Sequence, residues 1–392
     1  MSSKIRLYFS KELKANLTAT FSNEQSHYIR NVMRLKPGDT VSLFNSVNGE
    51  WSAKIVNHNK ENTEFKVEKC IKSKMFDDLD SELPGQDWNY LDMSKYKAHN
   101  WHTFGRLDTR NHYASLQTSL GCPFKCTFCC INAPFGKPSY RMWSPDTVID
   151  EIDLLVNKYG VRNIKFVDEM FVLNRSHVIG ICDRIIQRGY NLNIWAYARV
   201  DTVKDEFLEK LQMAGVRWLA LGIESGSKHV RDGVEKGRFG TEAIISVVRK
   251  IQAAGINVIG NYIFGLPDDT NATMRETLEL AIEAKCEFAN FYCAMAYPGS
   301  KLYEMALAKN WTLPASWIGY SQHSYETLPL RTEHIKGSEV LEFRDKAFDA
   351  YFKSQDYLSM VKKTFGEQTV SHIEKMSSHK LKRKHNFEKV NY

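Results

Sequence analysis

The chain predicts an α/β fold built on a parallel sheet, with a small β-rich module before it and helices after it. Three observations carry this. Six short β-rich runs follow Tyr113 (ASLQTS, NIKFV, LNIWAYA, RWLALGI, NVIGNYIFG and FANFYCAMA), and amphipathic segments separate them. Residues 1–74 read instead as strands with one helix, and beyond Trp311 the pattern is helical to the basic HKLKRKHNFEKV. At 392 residues and 43% hydrophobic content the chain can bury a large core.

In the N-terminal module, Ser22 followed by Gln25 forms a capping-box pattern ahead of Ile29, Val32 and Met33 at helical spacing. Asn48-Gly49, between TVSLFN and EWSAKIV, signals a hairpin. A compact barrel over 1–74 is the expected product. Residues 75–112 turn acidic and aromatic without periodicity, which reads as a linker packed by Trp88, Tyr90 and Trp101. Residues 113–312 hold the βα series, whose first helix starts at Ser144-Pro145 with Val148, Ile152, Leu155 and Tyr159 on one face. Residues 313–392 form the helical extension. Near-continuous apolar strands suit either an open doubly wound sheet or a barrel-like arrangement.

Charge and cysteine usage narrow the function. Residues 1–75 hold 13 Lys and Arg against 7 Asp and Glu, and residues 371–392 hold 6 against 2, so the net +7 sits at the two ends. Arg30, Arg34, Lys36 and Lys54 in the first module are candidate phosphate contacts for RNA, against the plainer reading of a solvated face. No run is long and apolar enough for a membrane span, and MSSKIRLYF lacks a signal peptide's apolar core, so a cytoplasmic protein is expected. In that reducing compartment eight cysteines point to metal binding or catalysis. Four fall within GCPFKCTFCCINAPFG, just after the first run of the series, where parallel folds gather their chemistry. Cys122, Cys126 and Cys129 form C-x3-C-x2-C, three thiolates that suit three irons of a cubane cluster and leave the fourth open.

This motif, with Phe128 as its aromatic member, resembles the radical S-adenosylmethionine (radical SAM) superfamily. The resemblance implies a partial (β/α)6 TIM-like barrel, a 4Fe-4S cluster on the three cysteines, and SAM chelated by the open iron. Reductive cleavage of SAM then gives a 5′-deoxyadenosyl radical, with the electron supplied by an external donor such as flavodoxin or ferredoxin. It also implies cofactor-binding roles for Phe128, for Asp168 and Glu169 near the SAM ammonium, for Arg199 at its carboxylate and for Glu224 and Ser225 at its ribose. LDMSKYKAHNWH, CCINAPFG, the IES and YPGSKLY segments and the helical tail are similar to the cobalamin-binding branch typified by anaerobic magnesium-protoporphyrin ester cyclase. That branch carries a cobalamin domain for which 75 residues are too few, and no D-x-H-x-x-G occurs. IRLYF, HYIRNVMRLKPGDTVSLFN and GEWSAKI instead resemble the PUA-like barrel of the 16S rRNA uridine N3-methyltransferase family.

Plainer readings stand beside these. The cysteines could hold structural zinc, although no second C-x2-C or C-x2-H pair follows. Cys130, Cys70, Cys182, Cys286 and Cys293 read as packed thiols, Trp195, Tyr292 and Tyr297 as core aromatics, and Arg199 as a partner of Asp201. Three functions follow: a radical SAM enzyme acting on a small-molecule, tetrapyrrole or lipid-type substrate; an RNA-modifying enzyme guided by the first module; and an RNA-binding protein with an inactive fused region.

Overall fold

The computed structural model describes residues 5–45, 48–59, 62–72, 79, 83 and 85–385. The chain forms two compact units, Met1–Glu82 and Leu83–Tyr392. The boundary expected at Lys74 lies outside the described residues.

The first unit contains β1 (Arg6–Tyr8), β2 (Thr18–Thr20), α1 (Asn23–His27), β3 (Thr40–Asn45), β4 (Gly49–His58) and β5 (Thr63–Lys72). Its sheet runs β1-β3-β4-β5-β2, parallel between β1 and β3 and antiparallel elsewhere. The hairpin anticipated at Asn48-Gly49 joins β3 to β4, and alternation sends Val41, Leu43, Ala53, Ile55, Phe65 and Val67 into one core. Ser22 caps α1 through Gln25 N–H, but the Gln25 amide donates to Tyr8 O, so only half of the expected capping box forms. A π-helical turn, Tyr28–Val32, follows α1 directly; Ile29 is buried and Val32 is exposed. Cys70, anticipated as a packed thiol, is exposed on β5.

In the second unit β6 (Tyr113–Leu116) leads through the short antiparallel pair β7 (Ser119–Leu120) and β8 (Arg141–Met142) to α2 (Pro145–Tyr159). Then follow β9 (Asn163–Phe166), α3 (Arg175–Arg188), β10 (Asn193–Arg199), α4 (Asp205–Met213), β11 (Val216–Glu224), α5 (Lys228–Gly233), α6 (Thr241–Ala253), β12 (Asn257–Phe264), α7 (Asn271–Ala284), β13 (Phe288–Cys293) and α8 (Lys301–Ala308). Helices α9 (Gly337–Phe352), α10 (Gln355–Phe365) and α11 (Glu367–Ser378) complete the unit. All six anticipated runs become strands of one parallel sheet, in the order β6-β9-β10-β11-β12-β13. A doubly wound sheet would reverse its order partway. Here every step goes the same way, and right-handed crossovers then place the helices on one face. The result is a partial barrel with free edges at β6 and β13.

Register separates the two faces. Ala114, Leu116, Ile164, Phe166, Ile194, Ala196, Leu219 and Leu221 face outward and are buried. The inward face is mixed. Ser115, Lys165, Trp195, Trp218 and Asn257 form one row across the sheet, and four residues further on Arg199, Gly222, Asn261 and Asn290 form another, above the Tyr197 row. Trp101 closes the barrel floor, its ring 4.9 Å from Trp195 and 5.8 Å from Trp218 in edge-to-face geometry. Trp88 is buried as anticipated, whereas Tyr90 is 88% exposed and packs nothing. Helix α9 covers the end of the sheet through Phe343 on Phe264 and the Arg344 guanidinium on Phe291 O.

Residues 83–392 alone are expected to fold with the urea midpoint that this unit has in the full chain. Removing residues 83–112 as well strips Trp101 from the floor. That loss should lower stability by about 3 kcal/mol or more, the usual cost of deleting a packed tryptophan.

Candidate active site

The cysteine loop springs from β7, and its take-off is fixed by one buried carboxylate. Asp168, just beyond β9, accepts hydrogen bonds from Thr118 N–H (2.7 Å) and from the hydroxyls of Thr118 (2.5 Å) and Ser119 (2.6 Å). Burial pushes its pKa up to about 6, against the pull of those donors. Glu169 is half-buried and takes the Gly121 N–H on Oε2 at 3.0 Å. Gly121 has φ +85°, and a Cβ there would lie 2.6 Å from Ser139 O, so the turn requires glycine. Asp168 was expected to face the SAM ammonium directly. Its position corrects that: fully buried, with both oxygens occupied, it positions the loop and leaves Glu169 as the accessible carboxylate of the pair.

Within the loop, Asn132 acts as an internal staple, donating to Phe124 O at 3.0 Å and accepting from Cys122 N–H at 3.4 Å. Thr127 ties the far side to Val234 and Leu302 through its backbone. Phe128 packs into two apolar clusters, with Val230, Val234, Leu266 and Ala294 on one side and Ala296, Leu302 and Leu330 on the other. It anchors the loop, and the aromatic ring next to the cysteine-loop cation is Phe124 instead.

That cation is Arg199, the last residue of β10. It stacks 3.7 Å from the Phe124 ring, pairs with both oxygens of Asp201 (2.9 and 3.0 Å), donates to Lys236 O, and places Nη1 3.4 Å from Cys126 Sγ. The plain pairing with Asp201 and a role at the loop thus coexist. Nearby, Lys236 and Glu224 form a buried ion pair at 2.6 Å, with side chains 6% and 9% exposed. Gly222 makes room for it, since a Cβ there would lie 2.5 Å from Lys236 Nζ. Ser225, expected near the ribose, is fully buried and bonded to Thr277 and Ser227, which places it in the strand-to-helix turn rather than in the cleft.

The three thiols fit a thiolate-held cluster. Cys129 is exposed at the loop surface, but the protein packed around its sulfur withdraws water and pushes its pKa up to about 11, and Cys126, Cys122 and Cys130 push it the same way, so the sulfurs lie within each other's fields; Ile131 N–H opposes this. Burial also raises Cys122, opposed by Phe124 N–H, Arg199 and Lys236. Donors and cations aimed at sulfur are what an anionic cluster needs. Among the described residues no three His, Cys, Asp or Glu converge as on a single metal ion. Cys126 and Cys129 border a cleft of about 570 Å³ rimmed by Lys125, Lys137 and Lys301. Cys182, Cys286 and Cys293 are buried elsewhere, as anticipated.

In the first unit Arg30 donates to Ser26 O and Asn59 O, while Arg34, Lys36 and Lys54 are exposed. Lys54 lies opposite Lys66 on β5, a pairing that only register reveals. Lys236, Phe124 and Lys165 also went unremarked in the sequence, because an isolated Lys or Phe carries no spacing signal.

Replacing Lys236 by Met leaves the Glu224 carboxylate buried without its partner. A loss of about 3–5 kcal/mol in urea unfolding is expected, largely recovered in the Lys236→Met/Glu224→Gln double variant. Asp168→Ala strands three donors and should cost about 2–4 kcal/mol. Asp168→Asn, which keeps an acceptor, should cost less by the same measurement.

Comparison with known proteins agrees with this geometry. Residues 116–281 match the family model of the radical SAM superfamily, and residues 21–68 match that of the RNA methyltransferase PUA domain. An uncharacterized methyltransferase of Pyrococcus horikoshii is 30% identical over 273 residues, covering 69% of this chain and 56% of its own length. The anaerobic magnesium-protoporphyrin IX monomethyl ester cyclase of Cereibacter sphaeroides is 27% identical over 269 residues, covering 68% of this chain and 41% of its own. The chain therefore spans about half the length of the curated relatives it matches. The solved structure of OxsB, a cobalamin-dependent S-adenosylmethionine radical enzyme, superimposes with a TM-score of 0.54 at 17% identity, over 88% of this chain and 53% of that one, a likeness of fold. Among the described residues no helix is long and apolar enough to cross a membrane. The chain carries a radical SAM domain over residues 116–281, preceded by an RNA methyltransferase PUA domain over residues 21–68.

Proposed function

We propose that the protein is a radical SAM enzyme whose 4Fe-4S cluster is held by Cys122, Cys126 and Cys129. The observation that carries the reading is the loop itself: three mutually interacting thiols beside Arg199, at the C-terminal ends of the strands of a radical SAM domain. When bound, the cluster and SAM supply a 5′-deoxyadenosyl radical once an external donor, such as flavodoxin or ferredoxin, provides an electron. The protein's own part is positional. Asp168 sets the loop's departure from β7, Asn132 and Phe128 hold its shape, and Arg199 sets positive charge against Cys126. Glu169 offers a carboxylate to the SAM ammonium, and Glu224, tethered by Lys236, stands at the inner rim for the ribose. A cytoplasmic location follows from an oxygen-sensitive cluster and free thiols.

A small-molecule, tetrapyrrole or lipid-type substrate is the preferred reading, supported by relatives named as a protoporphyrin ester cyclase and a hopanoid methylase. RNA modification is the second reading, favoured by the PUA match and by the facing lysines Lys54 and Lys66.

Anaerobic reconstitution tests the assignment. Replacing any one of Cys122, Cys126 or Cys129 by Ala should abolish bound iron and sulfide, the reduced-cluster EPR signal and 5′-deoxyadenosine formation. Cys130→Ala should retain all three, and its loss of the cluster would overturn the ligand set.

A further inference from the structure

The inner wall of the barrel holds polar groups that find no hydrogen-bond partner among the described residues. Lys165, from β9, stands in the row of Ser115 and Trp195, and its ammonium lies 4.0 Å from the Trp195 ring centroid and 5.8 Å from that of Tyr197. Among the described residues it makes no hydrogen bond or ion pair. Trp195 is 4% exposed and its Nε1 is buried without a hydrogen-bond partner among the described residues; His102, beside the floor, is 1% exposed and neither of its ring nitrogens has one there either. Buried polar groups are normally satisfied, so the unpartnered Trp195 Nε1 and His102 ring call for hydrogen-bonding partners from outside the chain, and the half-buried Lys165 ammonium, resting on two aromatic rings within the field of His102, is the charge beside them. The inward strand positions supply no free carboxylate, since Glu224 is taken by Lys236.

We infer that the barrel floor is a binding site for the carboxylate or phosphate of an acid-bearing small molecule, with Lys165 as its anchor. This rests on the radical SAM reading and narrows its substrate. Along β10, Arg199 lies four residues beyond Trp195, about 13 Å at the usual rise per residue, and it touches Cys126 at 3.4 Å. An acid group held at Lys165 therefore points the rest of the molecule up the lumen toward the cysteine loop. Depth also separates the substrate classes. A nucleotide within an RNA strand presents its base inward and keeps its phosphates at the mouth, whereas a free acid can send its charge to the floor. Burial lowers the Lys165 pKa to about 8, in keeping with an amine that lacks a counter-ion.

The test is covalent labelling of the full-length native protein. Potassium cyanate carbamylates amines, and peptide mass spectrometry reads each lysine separately. At pH about 8, millimolar malonate or inorganic phosphate, compared with chloride at equal ionic strength, should slow carbamylation of Lys165 about fivefold and leave exposed Lys97 unchanged. Protection by malonate alone assigns a carboxylate, and protection by phosphate alone assigns a phosphate ester. No selective protection by either anion overturns the site. Labelling needs no turnover, so its failure is separable from a failure to form 5′-deoxyadenosine in the same preparation, which would count against the radical SAM reading instead.

Discussion

The site depends first on the Asp168 carboxylate. It sits past the end of β9, and by binding the backbone and hydroxyl of Thr118 and the hydroxyl of Ser119 it fixes where the chain leaves β6 and enters β7. The cysteine loop starts two residues after Leu120, so its origin inherits that geometry. A neutral residue of the same shape keeps one oxygen and turns an NH2 toward the remaining donors, and only a carboxylate offers two oxygens to all three. Burial that raises its pKa and donors that oppose the rise are two sides of the same constraint.

Around the loop, charge is placed with little freedom. Arg199 is held by Asp201 and Phe124 before it meets Cys126, so its guanidinium is already oriented when negative charge accumulates on the sulfurs. Lys236 serves similarly: its backbone carbonyl receives Arg199, and its ammonium holds Glu224 at the top of the lumen. The absent side chain of Gly222 admits that pair. Loop, strand end and buried ion pair thus form one connected arrangement.

The barrel's two faces divide the remaining work. Outward residues are apolar and pack under the helices, which accounts for the stability of the sheet. Inward residues are polar or aromatic, with Trp101 closing the floor and small residues, Ala220 and Gly222, leaving space on β11. The linker carrying Trp101 is therefore part of the barrel's core.

Composition, periodicity and spacing determined much of this protein. The six strands are legible as short β-rich runs between amphipathic segments, the Ser144-Pro145 start of α2 as a helix cap, the Asn48-Gly49 turn as a hairpin, and the proposed cluster ligands as C-x3-C-x2-C, because each is set by neighbours close along the chain. Strand order was not legible, since an open and a closing sheet share the same local pattern and differ only in where successive strands pair. Side-chain destinations were equally hidden. Asp168 and Glu169 are adjacent in sequence, yet one is enclosed by Thr118 and Ser119 and the other reaches Gly121. Phe128, expected at the cofactor, packs into two apolar clusters, and Phe124, which carried no signal, is the ring that meets Arg199. Lys165 gains meaning only from the register that sets it beside Trp195. These features depend on residues brought together from distant positions, so the physical reason is the same throughout: local sequence selects the element, and tertiary packing selects which face of it each side chain uses.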